Sequence, residues 1–128
     1  MNKIKVEFQK LVDWAQVPEY ETSGAAGCDI ALALREEIVL YPHEVQSIST
    51  GFAIRIPDGY EAQIRSRAGM ARKGIIVANS PGTIDADHRG EVKVLLVNIG
   101  TKPVKIVPGQ KVAQMVFSPV VQAQFQEV

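Results

Sequence analysis

Hydrophobic and polar residues alternate with a period of two along several short stretches of this chain. Successive side chains of a β-strand point to opposite faces of its sheet, so this spacing predicts strands with one buried face. Residues 92–97 differ, because their nearly continuous apolar run predicts a strand that is buried on both faces. The strands that these patterns predict span residues 4–8, 53–56, 60–65, 92–97, 104–107 and 112–117.

Turn signals separate these stretches and indicate the fold class. Pro57-Asp58-Gly59 and Pro108-Gly109 interrupt the chain, and such signals recur about every eight to twelve residues, as in all-β sandwiches and barrels. Only residues 67–73 have the composition of a helical turn, which Gly74 would end. We therefore predict one all-β domain over residues 1–128, with a distorted jelly-roll-like barrel as its architecture.

The C-terminal segment, residues 118–128, has the composition of a further extended strand. Pro119 is expected to separate it from the strand that contains Phe117. Such a last strand either is exchanged between subunits or forms an edge of its own sheet, and composition alone favours neither. The predicted architecture has it exchanged.

Composition and charge narrow the possible functions. The 46% share of hydrophobic residues is typical of a globular protein, and 14 basic and 14 acidic side chains cancel, so no overall field attracts nucleic acid or a membrane. The single cysteine, Cys28, suits a reducing compartment, and the N-terminus lacks a signal-peptide core, so a cytoplasmic location is expected. Two distant histidines, His43 and His88, and one thiol exclude a zinc site.

Four segments carry polar groups that could form a site, and each also has a purely structural interpretation. Asp29 stands at a strand start beside a glycine, as in many turns. Residues 65–69, RSRAG, could cradle a phosphate with arginine and backbone N–H groups, or form a solvated basic turn. Gln114, within an apolar strand, needs hydrogen-bond partners in either case. Residues 82–91, GTIDADHRGE, contain three acidic residues and are either a solvated tip or a reaction site.

In their order along the chain, four segments resemble the motifs of the trimeric dUTPase family, the dUTP diphosphatases. The segments are AGCDIAL at 26–32, RAGMA at 67–71, ANSPGTIDADHRGE at 78–91 and GQKVAQMVF at 109–117. The third is the most specific, and together the motifs span nearly the whole chain. The resemblance implies hydrolysis of dUTP to dUMP and pyrophosphate, in a homotrimer whose active sites lie at subunit interfaces.

The resemblance also implies roles for individual residues. Asp85 corresponds to the general base, which activates the water that attacks the α-phosphorus. Asp29 corresponds to an aspartate that reaches Mg²⁺ through water, while the substrate phosphates hold most of that ion. The residues that would recognise uracil, largely through main-chain groups, are Asn79, Gly82, Thr83 and Ile84. The residues that would contact the phosphates or adjoin the rest of the substrate are Arg67, Ala68, Gly69, His88, Lys93 and Gln114.

Three departures from the family pattern bear on specificity and rate. His88 replaces the usual tyrosine that packs on the deoxyribose, so discrimination against a 2′-hydroxyl is in question. Ala68 replaces a serine that binds phosphate, which predicts slower turnover. The glycine-rich fifth motif, whose aromatic residue stacks on uracil, has no counterpart up to Val128. Either the protein lacks this arm or the arm follows residue 128.

Other functions on the same scaffold are less consistent with the residues. The related dCTP deaminases carry a catalytic glutamate at the position of Leu95, and an apolar side chain cannot transfer protons. A nucleotide-binding or regulatory protein, catalytically weakened by Ala68 and the missing arm, is the alternative from a different functional class. A plain structural barrel does not account for Asp29, Arg67, Asp85 and Gln114 occurring in this order.

Overall fold

The computed structural model describes residues 2–128 and consists almost entirely of β-strands. A single short helix, α1, spans Ala68–Ala71. The strands are β1 (Glu7–Lys10), β2 (Cys28–Ala31), β3 (Ile38–Leu40), β4 (Val45–Ser49), β5 (Phe52–Arg55), β6 (Tyr60–Ser66), β7 (Ile75–Val77), β8 (Gly82–Ile84), β9 (Lys93–Asn98), β10 (Val104–Ile106) and β11 (Lys111–Pro119). The all-β prediction is confirmed. No helix among the described residues is long and apolar enough to cross a bilayer.

Two larger antiparallel sheets and two strand pairs form the barrel-like body. The first sheet has the order β2-β11-β6-β8 and the second the order β4-β9-β7, while β1 pairs with β5 and β3 pairs with β10. A common core contains Ile30 and Met115 from the first sheet and Val94 and Leu96 from the second. The fully buried ring of Phe52, on β5, lies in the same core. Burial of these side chains holds the sheets together.

The period-two pattern places side chains correctly on β6. Ala62 and Ile64 are buried in the core, whereas Gln63 and Arg65 lie on the outer face of the first sheet. The pattern is less accurate at the N-terminus, where β1 spans Glu7–Lys10 rather than residues 4–8. The short strands β3, β4, β7 and β8 have no strong alternating pattern and were not predicted.

The prediction that residues 92–97 are buried on both faces is wrong for the chain on its own. Val94 and Leu96 are fully buried, but Leu95 and Val97 are only half-buried on the other face of β9. Val45 on β4 and Ile76 on β7 pair with Val97 and therefore share its face. The sheet thus presents an outer apolar face made of Val45, Ile76, Leu95, Val97 and Ile99, of which Val45 and Ile99 are 56% and 57% exposed.

The C-terminal segment also differs from the prediction. Pro119 does not separate it from Phe117, because β11 continues through Ser118 and ends at Pro119. Pairing of β11 with β2 ends at Met115, so Pro119 has only Tyr60 of β6 opposite it, and this end of the strand tolerates a residue that lacks an N–H. Within the described chain, residues 120–128 join no strand and are exposed. They therefore do not form an edge of the chain's own sheet, and their exchange with another subunit stays a prediction.

The predicted helical turn at residues 67–73 is confirmed. It begins after Arg67, whose backbone is extended, and contains one buried side chain, Met70. Gly74 follows in the left-handed region with φ of 86° and donates its N–H to the carbonyl of Ala71. A glycine adopts this conformation without steric cost, so it ends the helix where the sequence indicates.

Candidate active site

Three of the four motifs meet at one open cleft of about 380 Å³. The described residues that line it are Glu21, Thr22, Ala25, Ala26, Gly27, Asp29, Arg67, Ala68, Gly69 and Gln114. The cleft therefore combines two acids, one guanidinium group, one amide and a stretch of small residues. All of the predicted phosphate-contacting residues from the first, second and fourth motifs lie here.

Strand order explains why these motifs meet. β11 lies between β2 and β6, so Gln114 stands opposite Asp29 on one side and opposite Arg65 on the other. Directly opposite residues of antiparallel strands project from the same face of the sheet. Arg67 leaves the end of β6 at that face, and α1 begins immediately after it. The cleft thus lies at one end of the first sheet, where β2, β11 and β6 come together.

Asp29 is the most deeply buried charged side chain of the cleft. Its Oδ1 lies 2.9 Å from Nε of Arg67, and its side chain is only 8% exposed. The second oxygen, Oδ2, has no hydrogen-bond partner among the described residues, and Nζ of Lys111 lies 3.8 Å away. A buried carboxylate is costly unless charges compensate it, and Arg67 and Lys111 place two positive charges beside Asp29.

Arg67 is held from two directions. Besides its contact with Asp29, its Nη1 donates a hydrogen bond of 3.1 Å to the carbonyl of Lys111. The planar guanidinium group carries five N–H donors, so these contacts leave others to bind an anion. Lys111 therefore supports the site through both its ammonium and its backbone. Lys111 was not among the site residues predicted from the sequence, although its position inside the fourth motif was an available signal.

Gln114 is a structural residue and a cleft residue at once. Its Nε2 donates a hydrogen bond of 3.1 Å to the carbonyl of Ser66, which fixes the amide beside the start of α1. The hydroxyl oxygen of Ser66 accepts a hydrogen bond of 2.9 Å from the N–H of Val77. Ser66 is thus engaged within the fold, and the cleft is lined by Arg67, Ala68 and Gly69, as the preferred motif alignment predicted.

The motif resemblance implies that this cleft binds a triphosphate, so the Gly27→Ala variant is expected to weaken that binding about tenfold while the protein stays folded. A Cβ at residue 27 would lie 2.3 Å from Oε1 of Gln114, so the amide must leave its present position. A hydrogen bond to a charged group contributes about 1.5–3 kcal/mol, which sets the size of the effect. Calorimetric titration with a non-hydrolysable dUTP analogue measures it. Gly24→Ala is the matched control, since its Cβ meets nothing within 4 Å; equal binding by both variants would contradict the prediction.

The donor set of the cleft fits a magnesium ion that is held mainly by a substrate. Among the described residues, no group of three or more His, Cys, Asp and Glu side chains is placed to hold a metal by itself. Mg²⁺ usually takes one or two carboxylates together with phosphates and waters. The buried, unpaired Oδ2 of Asp29 is a suitable acceptor for a metal-bound water. The residues therefore suit the ion only when a phosphate supplies further oxygens.

The third motif lies elsewhere on the same chain. Asp85 is exposed directly after β8 and lines a second open space of about 690 Å³. Asp58, Glu61 and Asp87 line the same space, as does Gln122 of the C-terminal segment. The carbonyl of Asp85 accepts a hydrogen bond of 3.1 Å from the N–H of His88, which closes a turn. This turn presents Asp85 and the exposed His88 at the edge of the sheet.

Strand register separates Asp85 from the cleft that contains Asp29, Arg67 and Gln114. Ile84 pairs with Ala62, so Asp85 lies beside Glu61 at the start of β6. Arg67 follows the other end of the same strand. At about 3.3 Å per residue, the chain from Glu61 to Arg67 spans roughly 20 Å. The predicted base and the predicted phosphate ligands therefore do not meet within one chain.

The remaining predicted residues occupy several positions around the third motif. Gly82, Thr83 and Ile84 form β8, which is the last strand of its sheet, so one edge of its backbone is not used by the ladder. The amide of Asn79 packs against Gly82, where an added Cβ would lie 3.0 Å from Nδ2. Lys93 is exposed at the start of β9, in the second sheet, and lines neither space.

Cys28 is not a candidate nucleophile. Its side chain is 3% exposed within the core, and its Sγ donates a hydrogen bond to the carbonyl of Met115. Burial raises the pKa of the Cys28 thiol, and hydrogen bonding to Tyr20 only partly offsets this. The thiol therefore stays protonated near neutral pH, where a thiolate would be required for attack. The interpretation of Cys28 as a small buried hydrophobe is confirmed.

Comparison with known proteins identifies the family. The sequence profile of the dUTPase family matches residues 13–128. A deoxyuridine 5′-triphosphate nucleotidohydrolase from Zymomonas mobilis subsp. mobilis is 46% identical over 129 residues, which cover 98% of this chain and 87% of that protein. Another from Beijerinckia indica subsp. indica is 52% identical over 114 residues, covering 87% of this chain and 71% of that protein.

Solved structures agree with these relatives. The dUTPase of Staphylococcus bacteriophage 80alpha with dUPNHPP is 25% identical, has a TM-score of 0.88, and is matched over 98% of this chain and 89% of that one. A mutant dUTPase from phage phi11 of S. aureus, described for the coordination of a structural Mg(II) ion, is 25% identical with a TM-score of 0.87 and coverages of 98% and 97%. In profile, sequence and fold alike, this chain belongs to the dUTPase family.

Proposed function

We propose that this protein hydrolyses dUTP to dUMP and pyrophosphate. The observation that carries the proposal is the cleft in which Asp29, Arg67, Gly69 and Gln114 converge. It offers a fixed guanidinium group and an amide to an anion, and it holds a buried carboxylate that a hydrated cation can satisfy. These are the parts that a magnesium-bound triphosphate requires. The relatives from Zymomonas mobilis and Beijerinckia indica are deoxyuridine 5′-triphosphate nucleotidohydrolases, so dUTP is their substrate.

The cleft residues bind and orient the triphosphate. Arg67 uses its free N–H groups on the phosphate oxygens, the amide of Gln114 donates a further hydrogen bond, and the backbone N–H of Gly69 approaches closely because no side chain intervenes. Asp29 holds the hydration shell of Mg²⁺, which supplies positive charge to the phosphates when bound. Phosphoryl chemistry depends mainly on such positioning and charge stabilisation, so these contacts determine most of the rate.

Asp85 acts as the general base. Its exposed carboxylate accepts a proton from the water that attacks the α-phosphorus, so that the bond to the bridging oxygen breaks and pyrophosphate leaves. The turn closed by the N–H of His88 keeps the carboxylate at the end of β8. Orientation of the water contributes as much as basicity, because the reacting atoms must be aligned before the proton moves.

The edge of β8 recognises uracil. Main-chain N–H and C=O groups of an edge strand can pair with the O4, N3–H and O2 edge of the base much as a neighbouring strand would. Gly82 and Thr83 lie on this strand, and the amide of Asn79 packs beside it. Cytosine reverses the donor and acceptor at two of these positions, and each polar group left unpaired costs about 1–3 kcal/mol. The site therefore prefers uracil to cytosine.

A homotrimer with active sites between subunits is the assembly that we propose. The separation of Asp85 from Arg67 along β6 means that one triphosphate can meet both residues only if a second subunit supplies one of them. The outer apolar face of the second sheet is suited to burial against another subunit, because an exposed apolar surface of this kind is costly in water. The exposed apolar residues Val121 and Phe125 of the C-terminal segment suit exchange between subunits.

Mixing two inactive variants is expected to restore activity. Asp85→Asn keeps the cleft intact, and Arg67→Gln keeps the base intact, so a site formed between the two variants regains both groups. If subunits assort at random, about a quarter of the sites are complete and the mixture reaches about that share of wild-type activity. Unfolding and refolding the variants together, followed by a pyrophosphate assay, measures this. A mixture no more active than either variant alone, despite mixed oligomers by mass spectrometry, would rule out shared sites.

The function itself is tested by pyrophosphate release from dUTP, dCTP, dTTP and UTP in the presence of magnesium. We expect dUTP to be the preferred substrate. The rate with UTP relative to dUTP tests how well His88 discriminates against a 2′-hydroxyl, because its imidazole stands where the family has a tyrosine. Binding of dUTP without any release of pyrophosphate would instead favour a regulatory nucleotide-binding protein. Release of ammonia from dCTP would favour a deaminase.

A further inference from the structure

The cleft contains one hydroxyl group that the proposed mechanism has not used. Of the described residues that line it, Thr22 alone carries a hydroxyl. Ala68 also lines the cleft, at the start of α1 directly after Arg67, and offers only a methyl group. A triphosphate presents several anionic oxygens, and the cleft otherwise offers one guanidinium group, one amide and backbone N–H groups to receive them.

The loop that carries Thr22 is tied to Asp29. The N–H of Asp29 donates to the carbonyl of Glu19 at 2.7 Å, and the N–H of Glu19 donates to the carbonyl of Asp29 at 3.3 Å. Between these contacts, the N–H of Ala25 donates to the carbonyl of Thr22 at 3.2 Å and closes a turn. Thr22 is therefore held at a turn position over the cleft, and its placement is coupled to that of the buried carboxylate.

We propose that the Thr22 hydroxyl donates a hydrogen bond to a phosphate oxygen of the bound triphosphate, so that Thr22 is a substrate-binding residue. This inference rests on the proposed function, because it takes the cleft to be the phosphate site. A hydroxyl donor is well suited to an anionic oxygen, and such charge-assisted bonds are stronger than neutral ones. Thr22 thereby supplies to the phosphates the hydroxyl that Ala68 lacks.

The test compares Thr22→Val with Thr22→Ser. Valine keeps the branched shape and removes the hydroxyl, whereas serine keeps the hydroxyl. We expect Thr22→Val to bind a non-hydrolysable dUTP analogue, with nitrogen bridging the α- and β-phosphates, about tenfold more weakly in calorimetry. We expect Thr22→Ser to stay within about twofold of the wild type. Ser23→Ala is the matched control, since Ser23 is exposed in the same turn and does not line the cleft.

A second ligand separates a phosphate contact from a structural role. Deoxyuridine lacks all three phosphates, so Thr22→Val should bind deoxyuridine as the wild type does, measured by NMR titration. An equal loss of affinity for both ligands would show that residue 22 only shapes the loop. An unchanged affinity for the analogue would overturn the proposal outright. The wild type could release no pyrophosphate from dUTP while Thr22→Val still lowers the affinity for the analogue. That result would contradict the proposed hydrolysis but support the contact between Thr22 and a phosphate.

Discussion

Asp85→Asn is expected to release pyrophosphate from dUTP about 10²–10⁴-fold more slowly than the wild type. The substitution keeps the size of the side chain but removes the basic oxygen that accepts the proton of water in the proposed mechanism. Asp85 is exposed beyond the end of β8, so the fold does not depend on its charge. Affinity for a non-hydrolysable dUTP analogue should therefore change little, which places the loss in kcat rather than in KM. Stopped-flow detection of pyrophosphate measures the effect.

Asp87→Asn is the matched control for this prediction. Asp87 is exposed in the same turn and lines the same open space, so it shares the electrostatic surroundings of Asp85. If overall negative charge near the turn mattered, both substitutions would reduce kcat alike. We expect Asp87→Asn to retain a rate within a few-fold of the wild type, because a general base must be within hydrogen-bond reach of the water. Comparable losses in the two variants would remove Asp85 from the role of base.

Arg67→Lys is expected to lower kcat/KM for dUTP by about 10–100-fold with only a small change in thermal stability. Lysine preserves the charge that compensates the buried carboxylate of Asp29, so the protein should remain folded. It cannot reproduce the simultaneous contacts of the guanidinium group with Asp29 and with the carbonyl of Lys111 while still presenting donors to phosphate. The triphosphate would then bind more weakly, and its α-phosphorus would be less well aligned with the attacking water. Steady-state kinetics and calorimetric unfolding together measure both parts of this prediction.

Arg65→Lys provides the comparison, since Arg65 stands two residues before Arg67, near the end of β6. Its Nη2 donates to Oε1 of Gln63 at 2.8 Å on the outer face of the sheet, and it does not line the cleft. We expect its substitution to leave kcat/KM nearly unchanged, because an exposed contact of this kind contributes little. The pair also tests the motif alignment: an effect at residue 65 and none at residue 67 would mean that the alignment must shift.

The local pattern predicted the strands whose two faces differ most in burial. β6 and β11 were predicted nearly to their bounds because Ala62, Ile64 and Met115 enter the core while their neighbours do not. Strands of three residues, such as β7 and β8, contain too few positions for a period to show. The continuous apolar run of β9 predicted two buried faces, yet one of them is the outer apolar face, whose burial depends on contacts beyond the chain.

The sequence by itself determined the fold class, the helical turn and the residue types of the site, because alternating burial, glycine conformation and ordered motifs are local properties. Only the tertiary structure decided which of these residues meet. Pairing of β11 with β2 and β6 brings Asp29, Arg67 and Gln114 to one cleft and Lys111 close to Asp29, and it leaves Asp85 at the far end of β6. Distance along a chain carries no information about strand register. Register determines which side chains of different strands become neighbours, and therefore which of them can share a site within one chain.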